Sequence, residues 1–191
     1  MHDNKMRTEI LTIDKGQCLT DVLPAIPANT IFDKTITGCG ATHSEIVNAA
    51  RHSIIIEPNI PVILGKKAEH PFLFAVYEGI TKEDVKAYLA GEHDGYRKII
   101  TTPEGFDKKV LPAMHELEIP VYKDYFLLFD ECEKAIQDVG YRGDIYLPVE
   151  DFFKFENKAM VSATPIVPSD PRFGENGFKI LKLVPTYDSR I

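Results

Sequence analysis

"TIFDKTITGCGAT", residues Thr30 to Thr42, decides how the rest of the chain is read. Its first seven residues, Thr30 to Ile36, are mostly apolar and β-branched, which predicts a strand that runs into a turn carrying Gly38 and Gly40. "HSEIVNAARH", His43 to His52, follows with Ile46, Val47 and Ala50 at helical spacing, so a helix with those three on one face is expected. Strand, glycine turn and helix start together form the setting of a phosphate loop. Glycines there let backbone N–H groups curl around an anion, and the helix N-terminus adds partial positive charge. The pattern G-x-x-x-x-G-K-[ST] places a lysine directly after the last glycine. Ala41 occupies that place here, while Thr42 keeps the hydroxyl that would meet Mg²⁺. A tight turn without a ligand is the other reading of the same residues. Losing the lysine weakens hydrolysis more than binding, since a group that stabilises developing charge is commonly worth about 10²- to 10³-fold in rate. Lys34, Lys66 and Lys67 are the candidates to replace it, although lysines are expected on the solvated surface.

Working outward, apolar runs alternate with helical patterns. "SIIIEPN" (Ser53 to Asn59) reads as a buried strand stopped by Pro58, and "FLFAVYEG" (Phe72 to Gly79) as another. "TKEDVKAYLAG" has Thr81 as N-cap, Asp84 three residues on and Gly91 as a stop, the marks of a capped amphipathic helix. "RKIITTPEGFDKKV" predicts a short strand, a Thr-Pro turn and a helix start. In "YFLLFDECEKAIQDVG" a wholly apolar strand, Tyr125 to Phe129, ends in acids, and a helix is expected to run on to Gly140. "KAMVSATPIVP" is a strand ending in Ser-Ala-Thr-Pro, and "FKILKLVP" (Phe178 to Pro185) a last strand. Continuous apolar strands separated by helices predict a mainly parallel sheet with helices on both faces. Ligands of such sheets bind beyond the carboxyl ends of the strands. Gly38, Gly40, Thr42, Asp130, Glu131, Ser162 and Thr164 all fall at predicted strand ends and could meet in one crevice.

Composition narrows the classes. A chain of 191 residues suits one domain, and no repeat or low-complexity tract divides it. A formal net charge of −7 argues against a strongly basic nucleic-acid protein, leaving only a local basic groove. Cys18, Cys39 and Cys132 are odd in number and widely spaced, which reads as reduced thiols rather than a disulfide framework. "MHDNKMRTEIL" is too polar for a signal peptide, and no apolar run approaches the roughly 20 residues of a membrane helix. The expectation is a soluble, cytoplasmic protein without a membrane partner.

"FLLFDECE" and "SATP" complete the candidate site. Asp130, at the end of a buried strand, is suited to hold Mg²⁺, and Glu131 to polarise an attacking water. The same acids would also serve simply to begin a helix, where negative charge is favoured. Ser162 and Thr164 could hydrogen-bond the acids of the neighbouring strand, although Ser, Thr and Pro are ordinary turn formers.

Taken in order, "KTITGCGAT", "IIIEPN", "IITTPEGF", "LLFDECE" and "VSATP" resemble the motifs of the first RecA-like domain of DEAD-like helicases of superfamily two. The family's loop is A-x-T-G-x-G-K-T, matched here apart from its first alanine and its lysine. The resemblance covers roughly residues 28 to 185, leaving 1–27 as an N-terminal extension of a single domain, 1–191. It implies a three-layer RecA-like α/β fold and a nucleotide cofactor, ATP or ADP with Mg²⁺. Thr37, Gly38, Cys39, Gly40, Ala41 and Thr42 would form the phosphate loop, and Thr42 and Asp130 would hold the metal. Glu131 would be catalytic, and Ser162 and Thr164 would couple the sites. Pro58, Asn59, Thr102, Pro103 and Glu104 would line a groove for single-stranded nucleic acid, and Gln17 would contact adenine. Two departures bear on activity: Ala41, and the absence from this sequence of a second RecA-like domain, which a partner protein would have to supply. The expectation is therefore a degenerate, helicase-like nucleotide-binding domain with weak or no hydrolysis. The alternative is a non-catalytic interaction or regulatory protein that retains only the fold.

Other constellations carry less. Cys39 and His43, with His52 or Cys132, would make a zinc site, but no Cys-x₂-Cys or His-x₃-His pair supports it. Cys39 with His43 as a thiol-protease pair has no signature either. The basic pairs Lys66-Lys67, Arg97-Lys98 and Lys108-Lys109 are read as a solvated face, with Lys66, Lys67 and Lys98 as candidates to meet phosphates. The aromatics of "DYFLLF" and "DFFKF" are read as core.

Overall fold

A computed structural model describes residues 6–36, 38–133, 149–165 and 168–187. Among the described residues eight strands lie in one parallel sheet, ordered β1-β8-β2-β7-β6-β3-β5-β4. They are β1 (Thr8–Ile13), β2 (Thr30–Lys34), β3 (His52–Ile56), β4 (Phe74–Val76), β5 (Lys98–Thr101), β6 (Tyr125–Phe129), β7 (Asn157–Ser162) and β8 (Lys179–Pro185). The expected architecture, an α/β domain with a parallel sheet between two helical layers, is the one observed.

Successive strand residues face opposite sides, so each central strand feeds two cores. Ile54, Ile56, Leu127 and Phe129 join one cluster with Val85, Leu89, Phe106 and Val110. Ile55, Phe126 and Leu128 join the other with Ile46 and Ile63. Each such side chain contributes about 1.5–3 kcal/mol of burial. That is why these runs are apolar throughout rather than alternating. Phe126, Phe129, Phe152 and Phe155 are buried, as expected of the aromatic segments.

The helix α4 (Lys82–Ala90) begins as read: Thr81 Oγ1 accepts from the Asp84 N–H at 3.1 Å, Asp84 Oδ2 accepts from the Thr81 N–H at 2.8 Å, and Gly91 ends the helix. Two elements depart from expectation. The helix after the glycine turn, α2 (Ala41–Val47), stops at Asn48, so Val47 and Ala50 are exposed and its inner face is Ala41, Thr42, Ser44, Glu45 and Ile46. The segment after Asn59 is a ten-residue helix, α3 (Ile60–Glu69), with Pro61 in its first turn. Its β-branched residues and Gly65 hid the helical period. The extension before residue 28 supplies the short helix α1 (Leu19–Val22) and edge strand β1, which is paired along its length with β8. The helix expected up to Gly140 lies, beyond Glu133, outside the described residues.

Charged side chains are packed at the amino ends of the strands. Glu45 accepts from Arg51 Nε at 3.0 Å and Nη2 at 2.6 Å and from the Ser53 hydroxyl, and Lys98 Nζ donates to Ser53 Oγ and Arg51 O, both at 2.9 Å. Lys98, read as a solvated lysine near phosphates, is instead 3% exposed at the sheet edge opposite the glycine turn.

Candidate functional site

Because all strands are parallel, the ends of β2, β3, β5, β6 and β7 share one edge. The glycine turn, Glu57 to Asn59, Thr102 to Glu104, Asp130–Glu131 and Ser162–Thr164 are gathered there. The turn adopts the left-handed conformation at Gly38 (φ 72°) and Gly40 (φ 90°), which side chains bearing a Cβ adopt only with strain. Gly40 caps α2, and its carbonyl accepts from the Ser44 N–H at 2.8 Å. Thr37 lies outside the described residues. The Cys39 thiol sits against the turn; burial pushes it above the ordinary thiol range, against the opposing pull of the Ala41 N–H.

Thr42 joins the turn to the acids. From the first turn of α2 its hydroxyl donates to Asp130 Oδ2. Asp130 Oδ1 accepts from the Glu131 N–H at 2.8 Å and from Lys34 Nζ at 3.1 Å, and Lys34 Nζ also reaches Glu131 Oε1 at 2.8 Å. Glu131 itself is left-handed, with φ 51°, a strained conformation for a non-glycine residue and one that concentrates at functional sites. Lys34, one of three lysines the sequence offered in place of the missing one but expected on the surface, is the one found at the acids. Its side chain is 11% exposed and crosses from the end of β2, past β7, to the end of β6. Burial alone would lower its affinity for the proton, but the Asp130 and Glu131 carboxylates outweigh that and hold it above the ordinary lysine range. Lys66 and Lys67 stay near the surface, bonded to Glu69 and to the Pro71 carbonyl.

A third carboxyl belongs to this edge. Glu57, at the end of β3, is 1% exposed and accepts from the Asn59 N–H and side-chain amide, each at 2.8 Å. Burial, reinforced by the neighbouring Asp130 charge, pushes it up to about 7. A glutamate before a proline carried no motif, so sequence reasoning missed it; its one signal was its place at the end of an apolar strand.

Ser162 and Thr164 lie at the end of β7 but turn on each other. Ser162 Oγ donates to the Thr164 carbonyl at 2.6 Å and accepts from the Thr164 N–H at 3.2 Å. The described tie from this segment to an acid is the Ala163 N–H, 3.4 Å from Glu133 Oε1.

Two cavities flank the edge. One, of about 270 Å³, is lined by Gly38, Cys39, Gly40, His43, Gln17 and Tyr187, among others. Gln17 therefore does come beside the glycine turn. The other, of about 760 Å³, is lined by Pro58, Thr102, Pro103 and Glu104, together with Glu78, Asp107, Lys108 and Lys109. Four of the five residues read as a groove thus share one wall, while Asn59 caps α3 instead. The cavity's lysines are engaged: Lys108 with Glu104 at 2.7 Å, Lys109 with the Tyr77 carbonyl at 2.9 Å.

Magnesium does not fit this cluster as it stands. Both oxygens of Asp130 and Oε1 of Glu131 already accept from an ammonium, a hydroxyl or an N–H. Among the described residues no three His, Cys, Asp or Glu side chains are grouped to hold a metal ion, and no helix is long and apolar enough to cross a membrane.

No protein-family profile matches the chain, and no curated protein matches it. Among solved structures it is similar to the crystal structure of the Pyrococcus furiosus Hef helicase domain, at 13% identity and a TM-score of 0.48. That alignment covers 95% of this chain and 35% of the other, so the chain spans about a third of that structure's length.

Proposed function

We propose that this chain is a nucleotide-binding domain with weak or no hydrolysis, in which Lys34 supplies the positive charge missing at Ala41. The observation that carries the reading is the single cluster formed by Thr42, Asp130, Glu131 and Lys34 beside a left-handed glycine turn. The phosphates of ATP or ADP would lie along Gly38 to Thr42, close enough to Lys34 to draw on its charge. The base would enter the cavity of about 270 Å³, where Gln17 and Tyr187 offer polar atoms and Ile13 and Ile36 apolar walls. Hydrolysis would require Glu131 to release Lys34 before it could take a proton from water, which supports a slow reaction. The larger cavity is the place for single-stranded nucleic acid in this reading. Binding there must exchange the contacts of Lys108 and Lys109 for phosphates, so it should be weak and fall with salt.

Thermal unfolding with millimolar ADP or ATP tests the proposal. A ligand that binds only the folded state raises the melting temperature. The expected result is a rise in the wild type that is lost in Lys34→Gln and enlarged in Ala41→Lys. No rise in the wild type removes the nucleotide. It would leave the second reading, a non-catalytic interaction or regulatory domain, which the self-paired charges of both the cluster and the larger cavity favour. If hydrolysis is measurable, Glu131→Gln should abolish it while sparing binding.

A further inference from the structure

Lys34 holds the place that a metal ion would need. A divalent cation here would have to draw on the Thr42 hydroxyl, the Asp130 carboxylate and the Glu131 carboxylate, all hard oxygen donors. Those are the groups the ammonium and its neighbours occupy: Lys34 Nζ lies 3.1 Å from Asp130 Oδ1 and 2.8 Å from Glu131 Oε1, and the Thr42 hydroxyl is turned onto Asp130 Oδ2. The pair is also poorly wetted, with Lys34 11% and Asp130 2% exposed, so water does little to screen an arriving cation from the ammonium. The stem of Lys34 enters from a strand rather than from the glycine turn, so the charge is seated on the acids and reaches the neighbouring loop only through space. Chain order reinforces this: the lysine of the usual pattern is gone from position 41, and the lysine found at the acids is Lys34.

We infer that Lys34 is a built-in monovalent cation that replaces a metal ion, so that the Thr42–Asp130–Glu131 cluster of the wild-type chain excludes divalent cations. Removing its charge should convert the cluster into a metal site, because two carboxylates and a hydroxyl, completed by water, suffice for Mg²⁺ or Mn²⁺. This inference goes beyond nucleotide binding and does not depend on it.

The test is a titration with Mn²⁺ alone, without nucleotide, followed by electron paramagnetic resonance on wild type, Lys34→Gln, Lys34→Arg and Lys34→Gln/Asp130→Asn, each checked for folding by circular dichroism. Lys34→Gln is expected to bind one Mn²⁺ at least about tenfold more tightly than wild type. Lys34→Arg, which keeps the charge, should behave as wild type, and the added Asp130→Asn should remove the gain. Equal binding by wild type and Lys34→Gln, or no gain in a folded Lys34→Gln protein, overturns the inference. If Lys34→Gln does not fold, Lys34→Met keeps the aliphatic stem and is read in the same way. In the wild type itself, a bound Mn²⁺ ion lost on Asp130→Asn overturns it whatever the variants do.

Discussion

The two edges of the sheet use the same materials for different ends. At the amino edge one carboxylate, Glu45, is 0% exposed and is held by Arg51, Ser53 and Lys98, with the Arg51 guanidinium 3.4 Å above the Phe126 ring. Cations exceed acids there, and burial brings Lys98 down to about 8. At the carboxyl edge the balance is reversed: Asp130 and Glu131 share the Lys34 ammonium and Glu57 lies beside Asp130, next to a strained backbone and between two cavities. A sealed network locks helix α2 and the first residues of β3 and β5 together. An acid-rich edge with a glycine turn and open space beside it stores unfavourable charge where a ligand can reach it. Burial and partners thus separate the lysine of a closed network, Lys98, from the lysine beside open space, Lys34, which residue type alone does not.

Glu45→Ala should produce the largest effect. It leaves the buried Lys98 and the half-buried Arg51 without their carboxylate, a loss expected to cost about 3–5 kcal/mol in urea unfolding. A cost below about 1 kcal/mol would mean that this edge is wetter than its burial implies.

Glu57→Gln should act in the opposite sense. The carboxyl's pKa is raised on folding, from an ordinary value near 4.5 to about 7, mainly by burial. Its protonated form is the one the fold favours. That contribution is present below about pH 4.5 and is lost as pH rises through about 7. The glutamine variant should therefore be more stable than wild type by roughly 2–3 kcal/mol at pH 8 and by much less at pH 5. Equal melting temperatures at pH 8 would show that Glu57 ionises at no cost, and the carboxyl edge would not store unfavourable charge there.

The smallest effect belongs to Gly40→Ala, where the left-handed backbone should cost about 1 kcal/mol. The variant should also lose the ADP-dependent rise in melting temperature. If the rise survives unchanged, the turn is not where phosphate binds.

Much of this carboxyl edge was legible in the sequence. Thr30 to Lys34, Tyr125 to Phe129 and Lys98 to Thr101 announce themselves as strands because both faces are buried and every residue must be apolar or accommodated. The Thr81–Asp84 box and Gly91 are equally local, since caps act within one turn. Lys34 was legible only as one of three candidate lysines, with nothing to single it out. Its partners, Asp130 and Glu131, lie 96 and 97 residues away in sequence, and a lysine after an aspartate looks like any surface lysine. Ser162 pointed the other way: the sequence offered it to the acids, whereas the cheaper bond to the Thr164 carbonyl two residues on satisfies it locally. Lys98 failed for the same reason as Lys34, since nothing near it in the chain reveals the buried Glu45 it approaches at 3.8 Å.

By itself the sequence determined the units: apolar runs of strand length, a glycine turn that cannot hold side chains, capped helices, and acids placed just past a buried strand. These follow from period, propensity and backbone sterics, which act over a few residues. Which charges meet was decided only by tertiary structure. The order β2-β7-β6-β3 sets Lys34 across one strand from Asp130 and places Glu57 next to it, and burial then makes those pairings strong enough to define the site.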